Sequence, residues 1–254
     1  MPPVRRSSRL AKNQEEASLA DESVLKELAP NPPIPTKTGP TRDAEALQWA
    51  AGFKRVAGVD EAGRGPLAGP VVAAACILPP NFEIPGVDDS KKVSEANRDR
   101  LYDIITNAPG VEFAVSVVDV ETIDQINILE AAMLAMANAV KLVRADFALV
   151  DGNRIPKQLA ASVSKAIVGG DALSTSIAAA SIIAKVTRDR LMCEFHEQWP
   201  EYGFKAHKGY GTAAHMEVLK RLGPVVIHRR TFQPLKGWLE QRKLQSLETH
   251  FKLI

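Results

Sequence analysis

Arg55-Val-Ala-Gly-Val-Asp-Glu-Ala-Gly-Arg-Gly-Pro-Leu-Ala-Gly69 is the stretch on which the fold of this chain turns. Its first part, Arg55–Val59, is short and apolar and reads as a buried strand that runs into two acids, Asp60 and Glu61. Side chains on a strand alternate faces, so adjacent acids reach one cation only where the strand ends. Gly63 and Gly65 permit that break, because glycine reaches backbone angles closed to other residues. A Gly-Arg-Gly turn also brings backbone N–H and C=O groups close to a ligand. No Gly-Lys-Ser/Thr follows, which excludes a phosphate-binding P-loop. Taken alone, an Asp-Glu pair before glycine is most often an ordinary turn.

Outward from this stretch the chain reads as a packed α/β domain. Pro70–Leu78 is a second strand, β-branched and alanine-rich, and Glu112–Val120 alternates as a third. Phe147–Val150 is a fourth, ending at Asp151, and Ala166–Val168 a shorter fifth, ending through Gly-Gly at Asp171. Between them, Asn127–Arg144 carries Leu129, Met133, Met136, Val140 and Val143 at helical spacing, one buried stripe. Ser174–Gln198 is a long helix with Ile177, Ala180, Ala184, Leu191 and Phe195 inward; Thr212–Leu222 and Leu235–Leu247 are later helices. Strands first and helices after predict a mixed central sheet flanked by helices. Three strands stop at a carboxylate, where open α/β sheets place their sites.

Two hundred and fifty-four residues, 45% hydrophobic and 24% charged, exclude a wholly disordered or fibrous chain. The longest apolar run, Val71–Leu78, is far short of the ~20 residues a bilayer span needs. Met1–Asn13 shows no secretory signal, and Cys76 and Cys193 form no CxxC spacing, so both are expected as buried thiols in a reducing compartment. Net charge is only +2, but it is unevenly spread: from Lys185 onward there are 13 Lys+Arg against seven Asp+Glu, and before it 19 against 23. An acidic metal site beside a polyanion groove would produce this, as would ordinary solvated charge. The first fifty residues lack any aromatic before Trp49 and hold seven of the 17 prolines before residue 41, the composition of a mobile tail. A weak helix around Ala20–Leu28 is compatible with this, and Arg5, Arg6, Arg9 and Lys12 make the extreme end basic.

Asp60, Glu61, Asp151 and Asp171 are hard oxygen ligands, suited to Mg²⁺ or Mn²⁺ rather than zinc. Converging, they would raise one another's pKa until cations neutralise them; two ions ~3.5–4 Å apart would do so and would activate water on a phosphodiester. Each aspartate alone is as readily a cap or turn residue.

Gly58–Gly69, Asp89-Ser-Lys-Lys92, Val150-Asp-Gly-Asn153, Ala179–Asp189, Tyr202-Gly203, His207–Thr212 and His228–Phe232 together resemble ribonuclease HII, the type 2 ribonuclease H family in its bacterial-like form. The resemblance spans about Val56 to Pro234. It implies the ribonuclease H-like fold, a mixed five-stranded sheet flanked by helices with a helical C-terminal region. The implied division is a tail over 1–50, a catalytic domain over 51–234, and a helical extension over 235–254 packed on that domain. The implied activity is divalent-metal hydrolysis, with Mg²⁺ or Mn²⁺, of the RNA strand in RNA–DNA hybrids. It extends to ribonucleotides embedded in duplex DNA, leaving 3′-hydroxyl and 5′-phosphate ends. Asp60, Glu61, Asp151 and Asp171 match the family's metal-binding acids, and Gly63, Arg64 and Gly65 its reader of the ribose 2′-hydroxyl. Tyr210 matches the tyrosine against the following sugar; Lys91, Lys92, Lys185 and Lys208 match basic positions near the phosphates. Lys185 and Arg188 are equally compatible with surface charge, Tyr210 with a half-buried core aromatic, and His207 and His228 with packing or capping; the histidines receive no catalytic role.

Two departures stand out. Gly169 replaces the lysine common before Gly-Asp, removing one phosphate-facing cation, and Gln158–Ser164 lengthens the interval between Asp151 and Asp171. A monomer without a membrane partner is expected, in the cytoplasm or, from the basic tail, in a nucleus or organelle. The competing readings are a DNA-junction nuclease on the same fold and a non-catalytic hybrid-binding protein. A 2′-hydroxyl reader has no use in the first, and a cluster of unneutralised acids is costly in the second.

Overall fold

The computed structural model describes residues 39–82 and 94–251, and side chains as far as residue 244 except residue 243. Five strands form one sheet: β1 (Val56–Ala62), β2 (Val71–Ile77), β3 (Glu112–Val118), β4 (Phe147–Asp151) and β5 (Ser164–Ile167), in the order β3-β2-β1-β4-β5. β1 pairs antiparallel with β2 and parallel with β4; β2 pairs antiparallel with β3, and β4 parallel with β5. The parallel pairing of β1 and β4 carries Asp60 and Asp151 to the same edge, because Val59 stands opposite Val150.

β2 explains why the sheet is covered twice. Val71, Ala73 and Ala75 face a core built with α4 (Ile128–Val143), while Ala74, Cys76 and Leu78 face one built with α6 (Thr175–Gln198). A strand buried on both faces reads as a continuous apolar run rather than an alternation. The seam with α6 is closest at Gly58, where a Cβ would collide with the Ser176 backbone. Small residues pack α4 closely too. Met136, Val140 and Val143 of the predicted stripe are buried, Leu129 and Met133 only partly, and Ala131, Ala132, Ala135 and Ala139 complete the face. The remaining helices are α1 (Asp43–Ala50), α2 (Glu95–Asn107), α3 (Val120–Ile126), α5 (Gly170–Leu173), α7 (Phe204–His207), α8 (Ala213–Leu222) and α9 (Leu235–Phe251). Among the described residues, no helix is long and apolar enough to cross a membrane.

Several expectations need correction. The tail boundary at residue 50 is too late: α1 is helical, and Glu45 within it is fully buried. Its carboxylate accepts the Ser176 N–H and the Ser174 hydroxyl, both at 2.8 Å, tying α1 to the start of α6. Asp171 does not end β5; the strand stops at Ile167 and Asp171 lies in the one-turn α5. The third strand ends at Val118, and Val120 opens α3, capped by Asp119. At the start of the expected extension, by contrast, Leu235 is buried with Leu67, Met192, Phe204 and Leu219, as packing on the domain requires. The possible helix at Ala20–Leu28 lies outside the described residues.

Candidate active site

The acids converge at the edge where β1 and β4 end. Asp60, Glu61, Asp151 and Asp171 line one cleft of about 560 Å³, together with Gly63, Arg64, Gly65, Lys185 and Tyr210. Asp60 is 7% exposed and accepts the Glu61 N–H at 2.7 Å. Burial pushes its pKa well above the usual carboxylate range, and the charges of Glu61 and Asp151 push further; a hydrogen bond from Ser181 opposes them. Burial also raises Glu61, against the pull of the Arg64 guanidinium 3.1 Å away. Asp151 is raised by burial, less the effect of the Gly170 N–H that its Oδ1 accepts at 2.7 Å. That bond sets Asp171, one residue further, beside it.

These side chains suit a hard divalent cation, which would relieve the repulsion that raises Asp60. Among the described residues no three His, Cys, Asp or Glu are gathered into a ready-made cage. An open site completed by water and phosphate oxygens is how Mg²⁺ is commonly held, through one or two carboxylates.

Opposite the acids stands the loop 63–70. Gly63 has φ +101°, a region that favours glycine, and a Cβ there would collide with the Arg188 side chain. Tyr210 is 46% exposed, and a Cβ on Gly65 would stand 3.6 Å from its ring, so ring and loop lie directly against each other. That exposure does not fit a core aromatic. Lys185 pairs with Asp189 at 2.7 Å within the same wall. Lys208 instead lines a neighbouring hollow, paired with Glu95 at 3.1 Å; Arg98 belongs to both depressions. Lys91 and Lys92 lie outside the described residues. His207, His215 and His228 pack together: the first two rings stack 4.3 Å apart, and His215 Nε2 lies 3.1 Å from His228 Nε2. Burial pushes both His215 and His228 down to about 4.

Four participants escaped sequence reasoning. Arg98 belongs to no motif, and Ser181, though inside Ala179–Asp189, receives no role. Arg188, which the sequence left open as surface charge, is 1% exposed, and Arg229 is fully buried. Burial pushes Arg229 down to about 9, with the Arg188 charge adding to it. Their partners are backbone carbonyls, which no side-chain pattern announces.

Comparison with known proteins points the same way as the geometry. The ribonuclease HII family model matches residues 57–235. The ribonuclease HII of Chlamydia trachomatis serovar L2 is 54% identical over 192 residues, 75% of this chain and 87% of that protein. The ribonuclease HII of Burkholderia thailandensis is 54% identical over 193 residues, 75% of this chain and 89% of that protein. Among solved structures, the ribonuclease H2 of Pyrococcus horikoshii OT3 superposes with a TM-score of 0.62 at 30% identity, covering 74% of this chain and 98% of that one.

Proposed function

Because this chain belongs to the ribonuclease HII family and is a ribonuclease H, an endonuclease of RNA–DNA hybrids, we propose that it also cuts at single ribonucleotides embedded in duplex DNA. In this proposal Asp60, Glu61, Asp151 and Asp171 hold two divalent ions, Mg²⁺ or Mn²⁺, and cleavage leaves 3′-hydroxyl and 5′-phosphate ends. Ions bound there supply activation of water and neutralisation of charge on the phosphate. The chain's own residues do the positioning. The Arg64 and Gly65 amides meet the ribose 2′-hydroxyl, and the Tyr210 ring supports the next sugar. Lys185 holds a phosphate on the wall of the acid cleft, while Lys208, with Lys91 and Lys92, holds the backbone further along. We further propose a monomer acting in the cytoplasm, in keeping with the free thiols of Cys76 and Cys193.

The observation that carries the proposal is the facing of two unlike walls across one cleft: buried carboxylates with raised pKa, and a Gly63–Gly65 turn set against an exposed Tyr210. The test uses Mg²⁺ and a DNA duplex holding one ribonucleotide, beside an all-DNA duplex of the same sequence. Cutting on the 5′ side of the ribonucleotide alone is expected. Cutting of both duplexes would instead indicate a junction or general nuclease, and cutting of the long hybrid only would remove the lone-ribonucleotide activity.

A further inference from the structure

Arg188 and Arg229 lie side by side beneath the 63–70 loop, 1% and 0% exposed, and both direct their hydrogen bonds to backbone carbonyls. Arg229 donates from Nε to Gly69 O at 3.0 Å, from Nη1 to Arg64 O at 3.0 Å, and from Nη2 to Gly63 O and to Gly69 O, the latter at 2.8 Å. Arg188 donates to Pro70 O and Lys208 O at 3.0 Å and to Ala68 O at 3.1 Å. Two like charges buried together are costly without a carboxylate, so packing alone is a poor reason for them. A guanidinium does offer five donors in a rigid fork, and an ammonium does not.

The consequence follows from the peptide plane. In a trans peptide the C=O of one residue and the N–H of the next point in opposite directions, and the one cis bond among the described residues is Gln233–Pro234. Arg229 draws the Gly63 and Arg64 carbonyls inward, so the Arg64 and Gly65 N–H groups are turned the other way, to the side where these residues line the cleft. Among the described residues neither N–H has a protein partner. Arg188 extends the hub to the Tyr210 segment through Lys208 O, and the Leu67 N–H bonds Gly209 O at 2.8 Å alongside.

We propose that Arg229, backed by Arg188, is a positioning residue that aims the Arg64 and Gly65 amides at the substrate ribose and fixes their register against Tyr210. This deepens the ribose reading above and rests on it. The test compares the full chain and Arg229→Lys, with Mg²⁺, on a duplex holding one ribonucleotide and on a long RNA–DNA hybrid, alongside melting temperatures. Lysine keeps the charge and loses the fork. The lone-ribonucleotide kcat/KM is expected to fall by ~100-fold, the loss that a misplaced reacting group produces. The hybrid, which offers many registers, should fall by less than ~10-fold on the same principle. Equal losses on both substrates would mean a merely structural arginine and overturn the proposal, as would an unchanged ratio. A wild-type enzyme that ignores the lone ribonucleotide would overturn the ribose reading itself, and this inference with it. If Arg229→Lys melts below the assay temperature, Arg188→Lys carries the test. The Arg188 hydrogen bonds go to Ala68, Pro70 and Lys208 and none to the Gly63 or Arg64 carbonyls, so the same shift in ratio is expected at smaller size, and an unshifted ratio there overturns the proposal.

Discussion

The two walls of the cleft each gather groups of like charge, and they resolve the conflict in opposite ways. Asp60, Glu61 and Asp151 crowd with their pKa values raised and no full set of internal counter-charges. Arg188 and Arg229 crowd as closely, yet their charge is spread over carbonyls of the 63–70 loop and of Lys208. The acid wall is incomplete and waits on something from solution; the arginine wall is complete and rigid. A metal-dependent hydrolase needs both, one wall that binds and releases ions and one that does not move while they come and go.

The sharpest way to break the contrast is Asp60→Asn. Activity should fall by at least ~100-fold, the scale of losing one charge-stabilising group, while the fold gains stability at neutral pH without divalent ions. The sign follows from linkage: a carboxyl raised in the folded state stabilises least once pH exceeds its folded pKa, and an amide removes that cost. Thermal melting with and without Mg²⁺ checks this; the ion should narrow the gap between wild type and variant. A variant less stable than wild type in metal-free buffer would mean that the acids are not in conflict.

Tyr210→Ala tests the rigid wall at its exposed edge. Discrimination for a lone ribonucleotide over a long hybrid should drop by ~10-fold or more in the kcat/KM ratio, with little change in melting temperature, since the ring is 46% exposed. A large fall in stability with an unchanged ratio would make it a packing residue.

A third change probes neither wall directly. Removing residues 1–48 takes away Glu45 and leaves the Ser176 N–H at the start of α6 without its acceptor, at a cost of ~1–3 kcal/mol. A chain beginning at Gly39 keeps that contact. Chemical denaturation of the two chains should separate them by this amount; equal midpoints would show that α1 contributes nothing.

The last change lies behind the arginine wall, in the histidines. His215 and His228 titrate near 4 when folded and near 6.5 when unfolded, so their contribution is present above about pH 6.5 and lost as pH falls toward about 4. The unfolding free energy from denaturant curves across that window should decline by up to about 3 kcal/mol for each ring, and His228→Gln should flatten the decline. A variant as steep as wild type would place the pH sensitivity elsewhere.

Much of this was legible in the sequence where periodicity carried it. β1, β2 and β4 follow from apolar runs, and Asp60, Glu61 and Asp151 from the acids that follow two of them; β1 itself continues through Asp60 and Glu61 to Ala62. Asp171 was legible as a residue but not as a place, because Gly169-Gly170 is as compatible with a strand end as with a helical turn. α1 was illegible for a physical reason: its neighbours are proline-rich and polar, while its hold on the fold is a buried carboxylate reaching α6, with only Ala44 and Trp49 partly buried against Val56, Phe147, Leu149 and Ile177. Arg229 was illegible for another, since its partners are carbonyls that every residue possesses.

The bond from Gly170 to Asp151 Oδ1 separates two lengths that are easily confused. The chain between the two aspartates can grow or shrink, yet their spacing is set by one N–H reaching one oxygen. Lys157, Gln158 and Ala160–Ser162 lie exposed along that detour, and loop closure grows only slowly in cost with length. Length in this exposed stretch before β5 is therefore loosely constrained on the acid side. On the arginine side there is less slack: the carbonyls of Gly63, Arg64, Ala68, Gly69 and Pro70 are held by two guanidinium groups, and an insertion among them would leave a donor without its oxygen. One molecule thus carries a loop whose length is loosely constrained and another whose carbonyls are held to a fixed count.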